Sequence, residues 1–228
     1  MIKNISNLGD AAVYCDFGSD VSETINTKVI NYFNHLSVLV KKNKINGINN
    51  ITPSYNKLII SFDLEKTNYL EIKKVVMNLD IKEDAQNNNK KVKVPVCCEN
   101  EFGLDFKRLL DKTRLSKEEI LKFYLEKEYF CYMTGFIAGM PFLGDINKKI
   151  RCDRLETPRV KVPQGSVGIT EQFTNIYTFE SPGGWNIIGN TPLKIFDKLN
   201  LEEPALIKPG DKVSFYQISK KEYINWNE

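Results

Sequence analysis

From Tyr129 onward the chain is cut by Gly and Pro into β-rich runs of a few residues, and no other feature of its 228 residues constrains the fold more. Many short strands closed by such turns indicate a β-barrel or sandwich. Only Pro192 to Leu199 offers a helical turn in this stretch. Just ahead of it, Lys91-Val92-Lys93-Val94-Pro95-Val96 alternates strictly, as a strand with one wet face does. Asp105 to Lys112 and Ser116 to Glu128 read as short helices, the second opened by capping-box spacing in Ser116-Lys117-Glu118-Glu119.

The first part of the chain has a different rhythm. Ala11 to Phe17 reads as a strand ended by Gly18. From Asp20 to Lys42 the apolar residues Val21, Ile25, Val29, Phe33, Leu36 and Val40 recur every three or four positions. That period predicts an amphipathic helix, with Asp20 or Ser19 as its cap. Ile45 to Thr52 and Lys57 to Phe62 are β-rich runs joined by Pro53-Ser54-Tyr55-Asn56, a hairpin signal. Tyr69 to Leu79 reads as a second helix. The β-α-β-β-α order predicts a small α+β domain of ferredoxin-like arrangement. Lys82 to Lys91 is polar and lacks a period, so the expected domains are residues 1–85 and 86–228.

Composition excludes several function classes. Lys and Arg number 32 against 29 Asp and Glu, and both signs are mixed. No basic stripe marks a nucleic-acid face. The Lys41-Lys42-Asn43-Lys44 run reads as a solvated helix end that favours the macrodipole. No apolar run approaches the roughly 18 residues that span a bilayer. The opening residues resemble no signal peptide, so a cytoplasmic location is expected, with no membrane partner. Cys15, Cys97, Cys98, Cys131 and Cys152 lack C-x-x-C spacing, and His35 is the one imidazole. They read as reduced, mostly buried thiols, and no metal site is expected. There is no Walker A loop, no G-x-G-x-x-G after a strand and no G-x-S-x-G elbow. No catalytic residue is identified by pattern.

Three stretches are too dense in special residues to be plain scaffold. Gly135-Phe136-Ile137-Ala138-Gly139-Met140-Pro141-Phe142-Leu143-Gly144 is an apolar, glycine-punctuated loop. It fits a loop folded over the barrel mouth and equally a lid or partner-binding edge. In Pro158-Arg159-Val160-Lys161-Val162-Pro163-Gln164-Gly165-Ser166-Val167-Gly168-Ile169, an Arg flanked by prolines is set either to fork onto a carboxylate or phosphate or to make a structural salt bridge. In Ser181-Pro182-Gly183-Gly184-Trp185-Asn186-Ile187-Ile188-Gly189-Asn190-Thr191-Pro192, successive glycine N–H groups suit an anion-binding nest or a tight turn that buries Trp185.

Together and in this order, these stretches resemble the KipI-like family, which includes B subunits of 5-oxoprolinase and chains labelled allophanate hydrolase subunit 1. The family's P-R-x-x-V-P-x-G-S-V-G-I matches Pro158 to Ile169 at each fixed position. Its S-P-G-G-W-x-I-I-G-R-T-P matches Ser181 to Pro192 except at Asn190. Gly9-Asp10-Ala11, Leu58 to Asp63 and Pro209-Gly210-Asp211-Lys212-Val213-Ser214-Phe215 extend the likeness along the chain. The resemblance implies a C-terminal cyclophilin-like barrel. The partners it implies are a β/α-barrel A subunit together with a cyclophilin-like C subunit. It also implies ATP with Mg2+, used by the complex to open 5-oxoproline to glutamate. It further implies a substrate- or phosphate-binding role for Arg159, Ser166, Thr174, Tyr177, Ser181, Gly183, Gly184, Trp185 and Thr191. A lid or partner loop is implied at Gly135, Phe136, Gly139, Pro141, Phe142 and Gly144.

The departures fall at polar positions. Tyr124 stands where the family has His, Glu171 where it has Gly, Phe173 where it has Gln, Asn175 where it has Gly, Thr178 where it has Pro, and Asn190 where it has Arg. In the lid pattern, Ala138, Met140 and Phe142 replace Pro, Phe and Tyr. Three readings follow: a 5-oxoprolinase B subunit inactive alone, a KipI-like regulator that inhibits a sensor histidine kinase, and a divergent member that works on another amide or lactam.

Overall fold

The computed structural model describes residues 2–81 and 89–226. The chain divides into two compact units, Met1–Asn88 and Asn89–Glu228. The expected boundary between residues 85 and 86 lies outside the described residues.

The first unit begins with a strand the sequence pattern did not reveal, β1 (Asn4–Asn7), paired antiparallel with β2 (Ala12–Asp16). Then come α1 (Glu23–Lys41), the hairpin β3 (Ile48–Pro53) and β4 (Lys57–Phe62), and α2 (Tyr69–Met77). The sheet runs β1-β2-β4-β3 and is antiparallel throughout. The ferredoxin-like order expected here therefore differs at its ends, with a strand ahead of β2. Period-2 side chains Val13, Cys15, Leu58, Ile60 and Phe62 are buried with helical Val29, Leu36, Ile72 and Val76 in one cluster. The cap of α1 is Ser22, whose hydroxyl accepts from the Ile25 N–H at 3.3 Å, rather than Asp20 or Ser19. The hairpin turn is held from α1, where the Asn26 amide donates to the Ser54 and Tyr55 carbonyls at 2.9 and 2.8 Å. Lys41, Lys42 and Lys44 are at the solvated helix end, as their pattern suggested.

The second unit is a closed barrel. Its strands are β5 (Lys91–Cys97), β6 (Glu128–Thr134), β7 (Pro141–Gly144), β9 (Ser166–Thr170), β10 (Phe173–Ile176), β12 (Asn186–Asn190) and β13 (Lys212–Ile218), in the order β10-β7-β6-β13-β5-β12-β9. Two further strands, β8 (Arg159–Val162) and β11 (Ser181–Gly183), form a separate antiparallel ribbon. Helices α3 (Phe106–Thr113) and α4 (Lys117–Leu125) contribute Phe106, Leu109, Ile120 and Tyr124 to the main core. The capping box at Ser116 and Glu119 is formed. Closing a sheet into a barrel removes its edges, so few backbone groups remain open to other chains.

Three expectations are corrected. β5 alternates only in its first half; Val94 to Cys97 are all buried, because β5 lies between β13 and β12. Pro192 to Leu199 forms no helix and is tied instead by a bridge from Phe196 to Ala205. A short α5 (Lys220–Ile224) was overlooked, although Ser219 and Glu222 carry the capping-box spacing that starts it. No described helix is long and apolar enough to cross a membrane.

All five thiols are free and buried. Burial pushes those of Cys15 and Cys98 up from 9.0 to about 12. Above pH 9 the unfolded chain therefore sheds protons that the folded one retains. The stability tied to these thiols is full below pH 9. It falls as the pH rises from 9 to 12, by roughly 1 kcal/mol per pH unit for each thiol. Urea denaturation at pH 8 and pH 10.5 should show a clearly lower midpoint at the higher pH; equal midpoints would refute this.

Candidate functional site

The loop between β6 and β7 is folded back on itself. The Gly135 N–H donates to the Met140 carbonyl at 3.1 Å, and the Ile137 N–H to the Gly135 carbonyl at 2.9 Å. Thr178, in place of the family's Pro, adds a tie by donating its hydroxyl to the Ala138 carbonyl at 2.7 Å. Gly139 has φ +69, and a Cβ there would strike the Phe196 ring. Phe136 projects from this pinned loop, 67% exposed. Pro141 and Gly144 bound β7, and Gly144 packs beneath the Tyr132 and Phe173 rings.

Strand alternation then makes a second, smaller face. On β9, Val167 and Ile169 belong to the main core while Gly168 faces away. Ile176 of β10 and Ile188 of β12 also lie in the core, whereas Tyr177 and Ile187 join Met140 and Val162 in a separate cluster. Over that cluster lies a cleft of about 260 Å³. Phe136, Met140 and Phe142 wall it on the loop side, and Arg154 and Pro158 stand ahead of β8. Tyr177 and the run Pro182-Gly183-Gly184-Trp185 complete it. All three stretches singled out in the sequence thus meet at one cleft, lying over the smaller face of the strands.

Trp185 is 5% exposed, and its ring meets Phe142 edge-on at 5.6 Å and 77°. The Arg154 guanidinium sits over the other part of that ring, 5.9 Å from its centre. Burial raises the Tyr177 phenol above its usual range, so the cleft presents a neutral hydroxyl at neutral pH.

The glycine run does not form a nest. Neither Gly183 nor Gly184 has the positive φ that the alternating nest geometry requires. Their role is close approach: a Cβ on Gly183 would overlap the Tyr177 hydroxyl, and the Gly184 carbonyl accepts from the Leu155 N–H at 2.8 Å. Gly183→Ala should therefore cost about 2 kcal/mol through overpacking. Thermal unfolding compared with a Gly184→Ala control, whose Cβ has room at 3.5 Å, checks this.

Arg159 is only half committed. One guanidinium nitrogen donates to the Asp105 carboxylate at 2.6 Å, and Asp105, 6% exposed, also accepts from the Ile187 N–H at 2.7 Å. The other terminal nitrogen is buried with no partner. Arg159 does not line the cleft, but its backbone pairs with Gly183, which does.

Four other named residues lie off the cleft. Thr174 is fully buried and bonded to Tyr124 and to the Gly168 carbonyl, both at 2.9 Å. Thr191 accepts from the Leu193 N–H at 3.2 Å and shapes a turn. Ser166 pairs with Asn190 in the sheet, and the Ser181 hydroxyl is buried without a partner.

The departures from the family pattern are also mostly away from the cleft walls. Tyr124 is a core residue packed on Tyr129 and Phe215 at 5.3 and 5.0 Å. Phe173 packs edge-on to Tyr132 at 5.9 Å. Asn190 donates to the Gln164 carbonyl at 2.8 Å and accepts from the Tyr223 hydroxyl of α5 at 2.9 Å, which makes it a clamp. Asn175 is fully buried under this face beside Gly168 and Tyr177. Both atoms of its amide lack good hydrogen-bond geometry, and the Tyr177 hydroxyl is a poorly aligned neighbour. Met140 and Phe142, the two lid departures that do reach the cleft, keep its wall apolar.

Sequence reasoning missed Asp105, Arg108 and Arg154. Arg108 on α3 donates to the Asn186 side chain at 2.6 Å, and to the Asp153 and Arg154 carbonyls at 3.1 and 3.2 Å. These links span more than 40 positions, and no local pattern announces them.

Residues 3–207 match the family described as carboxyltransferase domain, subdomain C and D. The B subunit of 5-oxoprolinase from Bacillus subtilis is 33% identical over 98% of this chain and 96% of its own length. The urea amidolyase of Saccharomyces cerevisiae is 24% identical over 96% of this chain but only 13% of its own length. The crystal structure of TTHA0988 superposes with TM-score 0.81 at 27% identity, over 92% of this chain and 40% of that one. The chain therefore spans well under half of that solved relative. With the family pattern extending through both units and the motif stretches meeting at one cleft, the chain belongs to the carboxyltransferase domain, subdomain C and D, family and groups there with 5-oxoprolinase B subunits.

Proposed function

We propose that this chain is the B subunit of an ATP-dependent 5-oxoprolinase that opens 5-oxo-L-proline to L-glutamate, and that its cleft contributes the substrate-binding surface. The observation that carries the reading is the near end-to-end match to the B subunit of a 5-oxoprolinase. The chemistry agrees with the cleft. Its volume of about 260 Å³ falls just under the usual range for drug-sized ligands, so it suits a single small ring. Phe142 and Trp185 give that ring apolar walls, and Arg154 supplies hydrogen-bond donors. Phe136 and its loop act as the lid or partner edge.

Among the described residues no group of three or more His, Cys, Asp or Glu is placed to hold a metal ion. ATP and Mg2+ enter this reading at the level of the complex. A five-membered lactam is a stable amide, which is why its opening needs an energy source at all. What this chain's residues do is bind, orient and dry the ring. Arg159 and the Gly183–Gly184 segment belong to the supporting shell of that surface. The partners in this reading are a β/α-barrel A subunit together with a cyclophilin-like C subunit, and the location is cytoplasmic.

A second reading, an amide other than 5-oxoproline, is favoured by the likeness to urea amidolyase. The test is glutamate release from 5-oxoproline with ATP by the chain assembled with both partners. Release by the complex and none by the chain alone supports the proposal. A stable complex that releases none favours another amide, and failure to assemble favours a KipI-like regulator.

A further inference from the structure

We propose that Arg154 makes the cleft selective for a ligand that carries a carboxylate, and that it anchors that group at the rim while the ring lies against Trp185. This rests on reading the cleft as the amide-substrate site. Arg154 is the one charged residue in the cleft lining, which contains no Asp or Glu. The two arginines tied to the segments around the cleft have carboxylate partners, Arg108 with Asp153 at 3.1 Å and Arg159 with Asp105 at 2.6 Å. Arg154 has none. The Asp153 carboxylate next to it is drawn to Arg108 and Lys112 instead.

The backbone that carries the guanidinium is anchored on both sides of Arg154. On one side the backbone is held by Arg108, which donates to the Asp153 and Arg154 carbonyls, and by the Asn186 amide, which donates to the Asp153 carbonyl at 2.9 Å. On the other side the Leu155 N–H donates to the Gly184 carbonyl at 2.8 Å. The guanidinium lies over the Trp185 ring, 5.9 Å from its centre. A guanidinium reaching from an anchored backbone has its five N–H donors open toward a planar anion. An apolar cleft with one unpaired guanidinium at its rim fits a small, flat, singly charged acid. A ring lactam bearing a carboxylate is such a molecule; an uncharged amide is not.

The test is a calorimetric titration of the full chain with 5-oxoproline and with 2-pyrrolidinone, the same ring without the carboxylate. The native chain should prefer 5-oxoproline by about tenfold or more. Arg154→Ala should remove that preference, and Arg154→Lys, which keeps the charge but loses the fork, should restore part of it. Both variants should melt at the native temperature, since the side chain is exposed. An undiminished preference in Arg154→Ala overturns the proposal. Furan-2-carboxylate, a flat acid with no lactam, separates this proposal from the function reading. Arg154-dependent binding of it upholds the carboxylate site whether or not 5-oxoproline is turned over. Full turnover by an Arg154→Ala complex overturns the site and leaves the function reading intact.

Discussion

Trp185→Ala should lower 5-oxoproline-stimulated ATP hydrolysis by the assembled complex about 100-fold while leaving assembly intact. The ring is at once the wall that dries the cleft, the partner of Phe142 at 5.6 Å and the platform under Arg154 at 5.9 Å. Its loss would let the ligand and the guanidinium drift, and a displacement of about 1 Å in a reacting pair costs on the order of 100-fold in rate. Stimulated hydrolysis within about threefold of native would remove Trp185 from the site. Size-exclusion chromatography of the variant complex separates a lost site from a lost interface.

Asp105→Ala is expected to lower the stability of the second unit by about 3 kcal/mol, a larger effect than any exposed ion pair would give. Its carboxylate is 6% exposed and joins two segments: it accepts from Arg159 of β8 at 2.6 Å and from the Ile187 N–H of β12 at 2.7 Å. Removing it leaves the Ile187 N–H without a partner and both terminal nitrogens of Arg159 unpaired. Arg159→Ala breaks the same pair from its more exposed side, with the side chain 28% accessible, so a smaller loss is expected. Because its strand pairs with Gly183 at the cleft, the variant should also lower activity of the assembled complex without preventing assembly. Urea denaturation of both variants gives the comparison. Equal and small losses would mean that Asp105 is not the hub described.

The parts of the fold that repeat locally were legible in the sequence. Helix α1 was visible because Val29, Phe33, Leu36 and Val40 follow its period, and α4 because Ser116 and Glu119 carry its cap. The barrel class was visible in the short β-runs, but its closure was not. Closure depends on the parallel pairing of β5 with β13, some 120 positions apart, which no window of sequence contains. Strand β1 was missed because Asn4-Ile5-Ser6-Asn7 has the polar composition of a turn and gains its pairing only from β2.

The candidate site divides along the same line. Phe136, Phe142, Tyr177, Gly183, Gly184 and Trp185 sit in or beside dense motif stretches, and the structure brings them to one cleft. Thr174 and Thr191 stand near those stretches too, yet strand alternation and turn geometry direct their hydroxyls elsewhere. Arg154 lies outside any motif and owes its position to Arg108 and Asn186 on other elements. Position within a motif marked the segments that meet; it could not tell which of their side chains line the cleft.

The claim that the cleft holds the amide substrate is tested most directly by Trp185 fluorescence. The chain has two tryptophans, so Trp226→Phe leaves Trp185 as the only indole reporter. Titration of that chain with 5-oxoproline should give a saturable change in emission, and Arg154→Ala should weaken it. A flat titration from a chain that supports full 5-oxoproline turnover in the complex would contradict the account, because the substrate would then bind somewhere other than beside Trp185.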